Sequence, residues 1–248
     1  MTTTAKKVYF ASDAHLGNRF LPDVVESEKK LVRWLDSISA DAQAVYFLGD
    51  MFDYWYEYKY VVPKGFVRFL GKVAEMADQG IEIHFLTGNH DIWMFDYLEK
   101  EIGAAVHRKP FTVSLSGKQF FLAHGDEVGK RPLTYRIISA LFRNKLCQWL
   151  YASVHPRWTF AFARLWSYHS RKTGQIREMQ ADDSDYLFDF VQKNAMQGVD
   201  YFIFGHRHVL FDYELPSRVK VIVTGDWMQL FSYVEWDGAD LTLKRFEE

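Results

Sequence analysis

The sequence holds one cysteine, Cys147, in 248 residues. No intramolecular disulfide can form, and nothing requires an oxidising compartment. Long apolar runs are missing too. No stretch reaches the roughly 18 residues a membrane-spanning helix needs. The first residues, Met-Thr-Thr-Thr-Ala-Lys-Lys, contain no apolar core of a signal peptide, so a cytoplasmic location is expected. Prolines number only six, and no Pro/Gly/Ser-rich linker divides the chain. A single domain over residues 1–248 is therefore expected. Net charge is small, at −2, but acid is absent from one stretch. Between Lys130 and Arg177 stand ten Lys/Arg, no Asp or Glu, and nine aromatic residues, among them Trp149, Trp158 and Trp166.

What is present is a series of short apolar runs. Val8–Ser12, Ala44–Leu48, Ile81–Leu86, Gln119–Ala123, Tyr201–Phe204 and Val219–Val223 are nearly continuous in hydrophobicity, as strands buried on both faces are. Between several of them apolar residues recur at helical spacing, over Asp23–Ser37, Lys64–Ala77 and Asp182–Ala195. The chain closes on Gln229–Glu235, an Asp237-Gly238 turn and Asp240–Arg245, which reads as a hairpin. The expected fold class is layered α/β with a mixed sheet or a pair of sheets.

Five of the strands end in metal-ligand chemistry. Asp13-Ala14-His15 follows the first, Gly49-Asp50 the second and Gly88-Asn89-His90-Asp91 the third. His124-Gly125-Asp126 and Gly205-His206-Arg207-His208 follow the fourth and fifth. Each alone is ordinary turn chemistry. Together they place Asp13, His15, Asp50, Asn89, His124, His206 and His208 at one edge of an α/β sheet, where ligands usually bind. Four imidazoles, two carboxylates and one amide oxygen, without thiolate, suit Mn, with Fe or Zn as alternatives, better than Ca or Mg. Seven ligands exceed what one ion takes, and two divalent ions sharing a carboxylate account for all of them. Thr224-Gly225-Asp226 imitates these motifs but is read as structural, and Asp91 and Asp126 are read as loop braces.

This order of motifs resembles the calcineurin-like metallophosphoesterase superfamily, from Val8 to about Val223. The resemblance implies a β-sandwich of mixed sheets flanked by helices, and a partition of the ligands. Asp13, His15, Asp50 and His208 would hold one metal. Asp50, Asn89, His124 and His206 would hold the other. It further implies that His90 contacts the phosphoryl group or protonates the leaving oxygen, and that Asp53 orients His90.

Within the superfamily, Tyr54 stands where protein phosphatases have Arg, and Gly125-Asp126 where they have Gly-Gly. The chain looks most like the UDP-2,3-diacylglucosamine diphosphatase branch, which cleaves a pyrophosphate in lipid A synthesis to give UMP and 2,3-diacylglucosamine 1-phosphate. Many members of that branch have Arg where this chain has His90. The resemblance makes Lys130–Arg177 a helical lid over acyl chains, with helices expected over Pro132–Cys147 and from Pro156. It places Asn89, Tyr135, Ser170, Arg171 and Lys172 against the substrate. The partners it implies are an anionic glycolipid nucleotide and the inner membrane surface, the protein being peripheral there. No nucleic acid is expected. A phosphodiesterase or nucleotide pyrophosphatase acting on a soluble substrate is the alternative. A binding scaffold without activity is a third reading, but it requires lost ligands, and none is lost.

Overall fold

The structure, a computed structural model, describes residues 6–21, 23–173, 185–195 and 197–247, without the side chains of residues 164 and 166–173. Its elements in chain order begin with β1 Lys7–Ala11, α1 Val24–Ile38, β2 Ala42–Leu48, α2 Val67–Asp78, β3 Glu82–Leu86, α3 Tyr97–Ile102, β4 Ala105–His107, β5 Phe111–Leu115 and β6 Lys118–Ala123. They continue with α4 Leu133–Arg143, α5 Lys145–Ala152, α6 Pro156–Thr173, α7 Tyr186–Asn194, β7 Tyr201–Phe204, β8 Leu210–Glu214, β9 Lys220–Thr224, β10 Ser232–Trp236 and β11 Leu241–Arg245.

The strands form two mixed sheets, one ordered β11-β10-β1-β2-β3-β4 and the other β5-β6-β7-β9-β8. β1 through β4 run parallel, as do β6, β7 and β9, while β10 and β11 form the expected antiparallel hairpin. Alternation along β1 explains the layers. Val8 and Phe10 point between the sheets, where they meet Phe120, Leu122, Ile203 and Ile222 of the second sheet. Tyr9 and Ala11 point the other way, onto Leu31, Trp34 and Leu35 of α1 and Phe69 and Val73 of α2. The second sheet is covered on its outer face by Leu187, Phe188 and Val191 of α7. Both faces of the central strands are buried, which is why their sequences alternate so little.

Side-chain caps fix some of the helix starts. Asp23 caps α1, its carboxylate accepting from Val25 N at 3.0 Å and Glu26 N at 2.9 Å. α2 has no side-chain cap of its own, because Phe66 precedes it in the left-handed region at φ 59. Glu28 of α1 supplies one instead, its Oε1 accepting from Arg68 N and Phe69 N at 3.0 and 3.1 Å. The single helix expected over Pro132–Cys147 is divided. Asn144 ends α4 with an extended backbone and caps α5, accepting from Leu146 N and Cys147 N.

A buried carboxylate ties the segment after β2 to α3. Glu57 accepts from Phe95 N at 2.6 Å, Asp96 N at 2.7 Å, Tyr97 N at 3.1 Å and Trp55 Nε1 at 3.0 Å. Glu57→Ala leaves four donors without this acceptor and should cost about 2–4 kcal/mol in urea unfolding of the metal-free protein. Glu57→Gln keeps one oxygen for the α3 amides and should lose about half as much. Equal stability of Glu57→Ala and wild type would remove this account of the α3 junction.

Candidate metal centre

The C-terminal ends of β1, β2, β3, β6 and β7 meet at one edge of the sandwich. Asp13 N donates to Gly49 O at 3.1 Å and His15 N to Asp50 O at 2.9 Å, joining the first two loops. Gly205 N donates to His124 O at 2.9 Å, joining the last two. Five of the seven predicted ligands take a left-handed backbone: Asp13, His15, Asp50, His206 and His208 have φ of 57, 41, 54, 69 and 52°. Such residues cost of order 1–3 kcal/mol each unless their surroundings over-determine them. Here the surroundings do. Asp91 braces the turns, accepting from Met51 N and Gly88 N at 2.8 Å, from Asp50 N at 3.2 Å and from Phe52 N at 3.3 Å.

The ligand atoms fall into two groups of close approach, Asp13–His15–His208 and Asp50–His124–His206. Asp13 Oδ1 lies 3.8 Å from His15 Nε2 and 3.7 Å from His208 Nε2. Asp50 Oδ2 faces both groups, 3.7 Å from His15 Nε2 and 3.3 Å from His124 Nε2. Most of these separations are too long for hydrogen bonds and suit atoms sharing a cation about 2.1 Å from each. The buried atoms Asp13 Oδ1, Asn89 Oδ1 and His124 Nε2 have no hydrogen-bond partner among the described residues. Buried polar atoms are rarely left so, and a cation is the partner their chemistry calls for. The donor set and its orphaned atoms thus fit two divalent ions.

Hydrogen bonds on the far side of the ligands aim them. His124 Nδ1 must carry a proton, since its partner is the Leu48 carbonyl at 2.8 Å, so Nε2 presents a lone pair to the site. Asp13 Oδ2 accepts from His206 N at 2.9 Å and from Ser12 Oγ. Asp50 Oδ1 accepts from His90 N at 2.8 Å.

Electrostatics of the metal-free site follow from crowding. Burial pushes the Asp50 carboxyl up, but His124, His90 and His15 outweigh it and hold Asp50 well below the usual carboxylate range. Burial pushes His124 down, and Asp50 and Asp13 reverse this, leaving it well above an ordinary imidazole. His206 is driven down to about 3, by burial and then by the charge on His124. His206 is therefore a ready neutral ligand, whereas His124 must shed a proton to bind metal.

The other predicted site residues are placed as follows. His90 packs edge-on against His15, with ring centroids 4.7 Å apart. Its Nδ1 lies 3.0 Å from the Asp53 carbonyl and 3.8 Å from the Asp53 carboxylate, so the carbonyl is the closer partner. That carboxylate is also 3.6 Å from His15 Nδ1. Tyr135 donates to Asp126 Oδ2, linking α4 to the His124 loop. Ser170, Arg171 and Lys172 lie in α6, with their side chains outside the described residues. Tyr54, in the aromatic run after Asp50, lines a cavity with Asp53, Asn89, His90, Trp93, Phe142 and Tyr151.

Three contributors escaped the sequence reading. Ser12 bonds Asp13 and lies 2.7 Å from Thr224 Oγ1. Asp226, which the sequence marks as structural, has its Oδ2 3.5 Å from His208 Nδ1. The signal was there: β9 ends in Thr224-Gly225-Asp226, as the ligand-bearing strands end.

The family model for calcineurin-like phosphoesterases matches residues 6–210. A UDP-2,3-diacylglucosamine hydrolase of Porphyromonas gingivalis is 48% identical over 98% of this chain and 98% of its own. A protein of the same name from Azotobacter vinelandii is 28% identical over 95% of this chain and 96% of its own. Among solved structures, a dimetal phosphatase from Danio rerio aligns with a TM-score of 0.47 at 13% identity, over 97% of this chain and 96% of that one.

Packing of the loops sets a test. A Cβ at Gly49, where φ is +90°, would sit 2.6 Å from His124 Nδ1, and one at Gly88 would strike the Asp50 carboxylate. Gly88→Ala should therefore displace the shared carboxylate and weaken both cations by at least about tenfold, the lower end of what supporting-residue changes cost. Elemental analysis after dialysis reads it. Retention of two ions per chain would contradict Asp50 as the shared ligand.

Proposed function

The chain belongs to the calcineurin-like phosphoesterase family, and from that premise we propose that it hydrolyses the pyrophosphate of UDP-2,3-diacylglucosamine, giving UMP and 2,3-diacylglucosamine 1-phosphate. The observation that carries this reading is the 48% identity, over 98% of both chains, to a hydrolase named for that substrate. Residues 1–248 act as one domain, with Lys130–Arg177 as its lid. Asp13, His15, Asp50 and His208 hold one divalent ion, and Asp50, Asn89, His124 and His206 the other. Mn is the ion proposed, on the absence of thiolate from the donor set. Bound there, the two ions supply neutralisation of phosphate oxygens and acidification of water.

The chain's own residues then do the rest. His90 is held by its Nδ1–H donating to Asp53 O, and Nε2 is left as the nitrogen for a phosphoryl or leaving-group oxygen. Asn89, next to it, has a buried side-chain oxygen with no hydrogen-bond partner among the described residues. Trp93, Phe142 and Tyr151 wall the cavity beyond His90 on the lid side. A second, larger cleft of about 890 Å³ opens from Asp53 and Tyr54 along Val61, Val62, Phe66 and Phe160. The two openings share Asp53 and Tyr54, next to His90, and the larger has room for a bulky half of the substrate. Tyr135, Ser170, Arg171 and Lys172 are proposed substrate contacts from the lid.

Lid surface supports an encounter at the inner face of the membrane. No residue of α4 or α5 is buried, and Leu133, Ile137 and Leu141 of α4 are 67, 51 and 51% exposed. Leu146, Trp149 and Leu150 of α5 and Trp158 and Leu165 of α6 are exposed as well. An outward apolar stripe set among Lys/Arg, without acid, matches an anionic leaflet. Each Lys or Arg near such a surface contributes about 1 kcal/mol. No described helix is long and apolar enough to cross a membrane.

Two measurements check this. Mn-loaded protein should release UMP from UDP-2,3-diacylglucosamine much faster than it cleaves simple diesters. His90→Ala should keep its metals and lose roughly 10²–10⁴ in rate, the scale of general acid catalysis, with a smaller loss on a nitrophenyl diester that needs no acid. Faster turnover of soluble diesters would favour the soluble-substrate alternative, and an equal His90→Ala loss on both substrates would make His90 a phosphate-positioning group. The second measurement is co-sedimentation with anionic vesicles. Arg136→Glu together with Leu141→Ser should reduce binding about tenfold or more, given the per-charge contribution. Unchanged binding, or none by wild type at physiological salt, would remove the membrane encounter.

A further inference from the structure

Each imidazole whose far nitrogen can be traced is aimed by an acceptor behind it. For His124 that acceptor is the Leu48 carbonyl. His208 has a carboxylate in the same place. Asp226, only 3% exposed, sits on the turn after β9. Its Oδ1 accepts from Met228 N at 3.0 Å, Gln229 N at 2.8 Å and Leu230 N at 3.0 Å. Three amide donors fix that oxygen. The other, Oδ2, faces His208 Nδ1 at 3.5 Å, the long limit of a hydrogen bond, and that buried nitrogen makes no closed hydrogen bond among the described residues. On the opposite side of the same ring, Nε2 lies 3.7 Å from Asp13 Oδ1.

We propose that Asp226 is a positioning residue. It holds the His208 proton on Nδ1, so that the Nε2 lone pair faces the ion shared with Asp13. A carboxylate behind a ligating histidine fixes both tautomer and ring orientation and raises ligand basicity. The turn enforces the arrangement. A Cβ at Gly225 would collide with Ser232 Oγ, so the chain passes Ser232 in one way only, and the Ser232 hydroxyl donates to Thr224 O at 2.6 Å. The inference rests on the two-ion reading given above, but its test is separable from it.

Asp226→Asn is the informative variant. The three backbone donors hold the amide oxygen at the Oδ1 position, so the amide N–H₂ must face His208 Nδ1. That nitrogen then has to accept, and the proton moves to Nε2, removing the lone pair from the metal side. Nitrogen-15 NMR of the metal-free protein, at alkaline pH where the ring is neutral, should show His208 switching from the Nδ1–H to the Nε2–H tautomer. Thermal unfolding of metal-free Asp226→Asn should stay near wild type, whereas Asp226→Ala, which loses the turn acceptor, should melt lower. Titration with Mn²⁺ should show one of the two ions bound 10–100-fold more weakly, the usual effect of such a change, and the spin-coupled spectrum of the ion pair should give way to that of an isolated ion. Persistence of the Nδ1–H tautomer in Asp226→Asn, with both ions bound as in wild type, would reduce Asp226 to a turn residue. A wild-type protein that binds only one ion, while the tautomer switch still occurs, would overturn the two-ion reading and leave the role of Asp226 standing.

Discussion

The Asp50 carboxylate is the point on which the rest of this structure turns. One oxygen accepts the His90 amide, and the other stands within 4 Å of both His15 and His124. An isolated carboxylate this deeply buried would ordinarily protonate, because desolvation penalises its charged form. Three imidazoles nearby keep it ionised. The same arrangement crowds ionisable side chains together in the metal-free protein, each holding its neighbour's charge in place.

Two sheets are what make such crowding feasible. A ligand loop on one strand cannot bring seven donors together, but five parallel-running strand ends, three from one sheet and two from the other, open onto a common edge. Inner-face residues such as Phe10, Tyr46, Phe120 and Ile203 lock the sheets in register below that edge. The rigidity so gained over-determines the left-handed backbone at five ligands, which loops on a softer frame could not sustain. Small residues complete the arrangement where backbone and side chain from different loops touch, as at Gly49 against His124.

Much of this was legible in the sequence because strand ends are marked twice, by the apolar run before them and by the ligand after. Six of the seven predicted ligands fall into the two close groups for that reason, and Asn89 lines the adjoining cavity. What lay beyond reach was pairing across sequence distance. Nothing in Asp91-Ile92 says that its carboxylate gathers the amides of residues 50 to 52, and Glu28 gives no local sign that it caps a helix forty residues away. Asp226 was visible as an imitation of the motifs, yet its partner His208 is fixed only by the adjacency of β7 and β9. The resemblance pairs Asp53 with His90, and the structure sets them side by side, with the Asp53 carbonyl 3.0 Å and its carboxylate 3.8 Å from His90 Nδ1. β4 and β5 are too short and too mixed in polarity to stand out.

Helical periodicity marks where α4 and α6 begin, but it gives no sign of the break at Asn144 that starts α5 and is silent about what the helices face. An apolar stripe at helical spacing ordinarily lies on a core, and here much of it does not. The helices rest on the sandwich through an aromatic belt instead. Tyr151 packs against Tyr56 and Trp93, Phe142 against Trp93, and Tyr58 bonds Thr159 of α6. That belt grows from the Tyr54-to-Tyr60 run directly after Asp50, so the residues that hold the helices in place continue from the loop that carries the shared ligand. Tyr135 makes a second tie, from α4 to Asp126 beside His124. The helices thus turn apolar side chains outward while their supports reach the loops that carry Asp50 and His124.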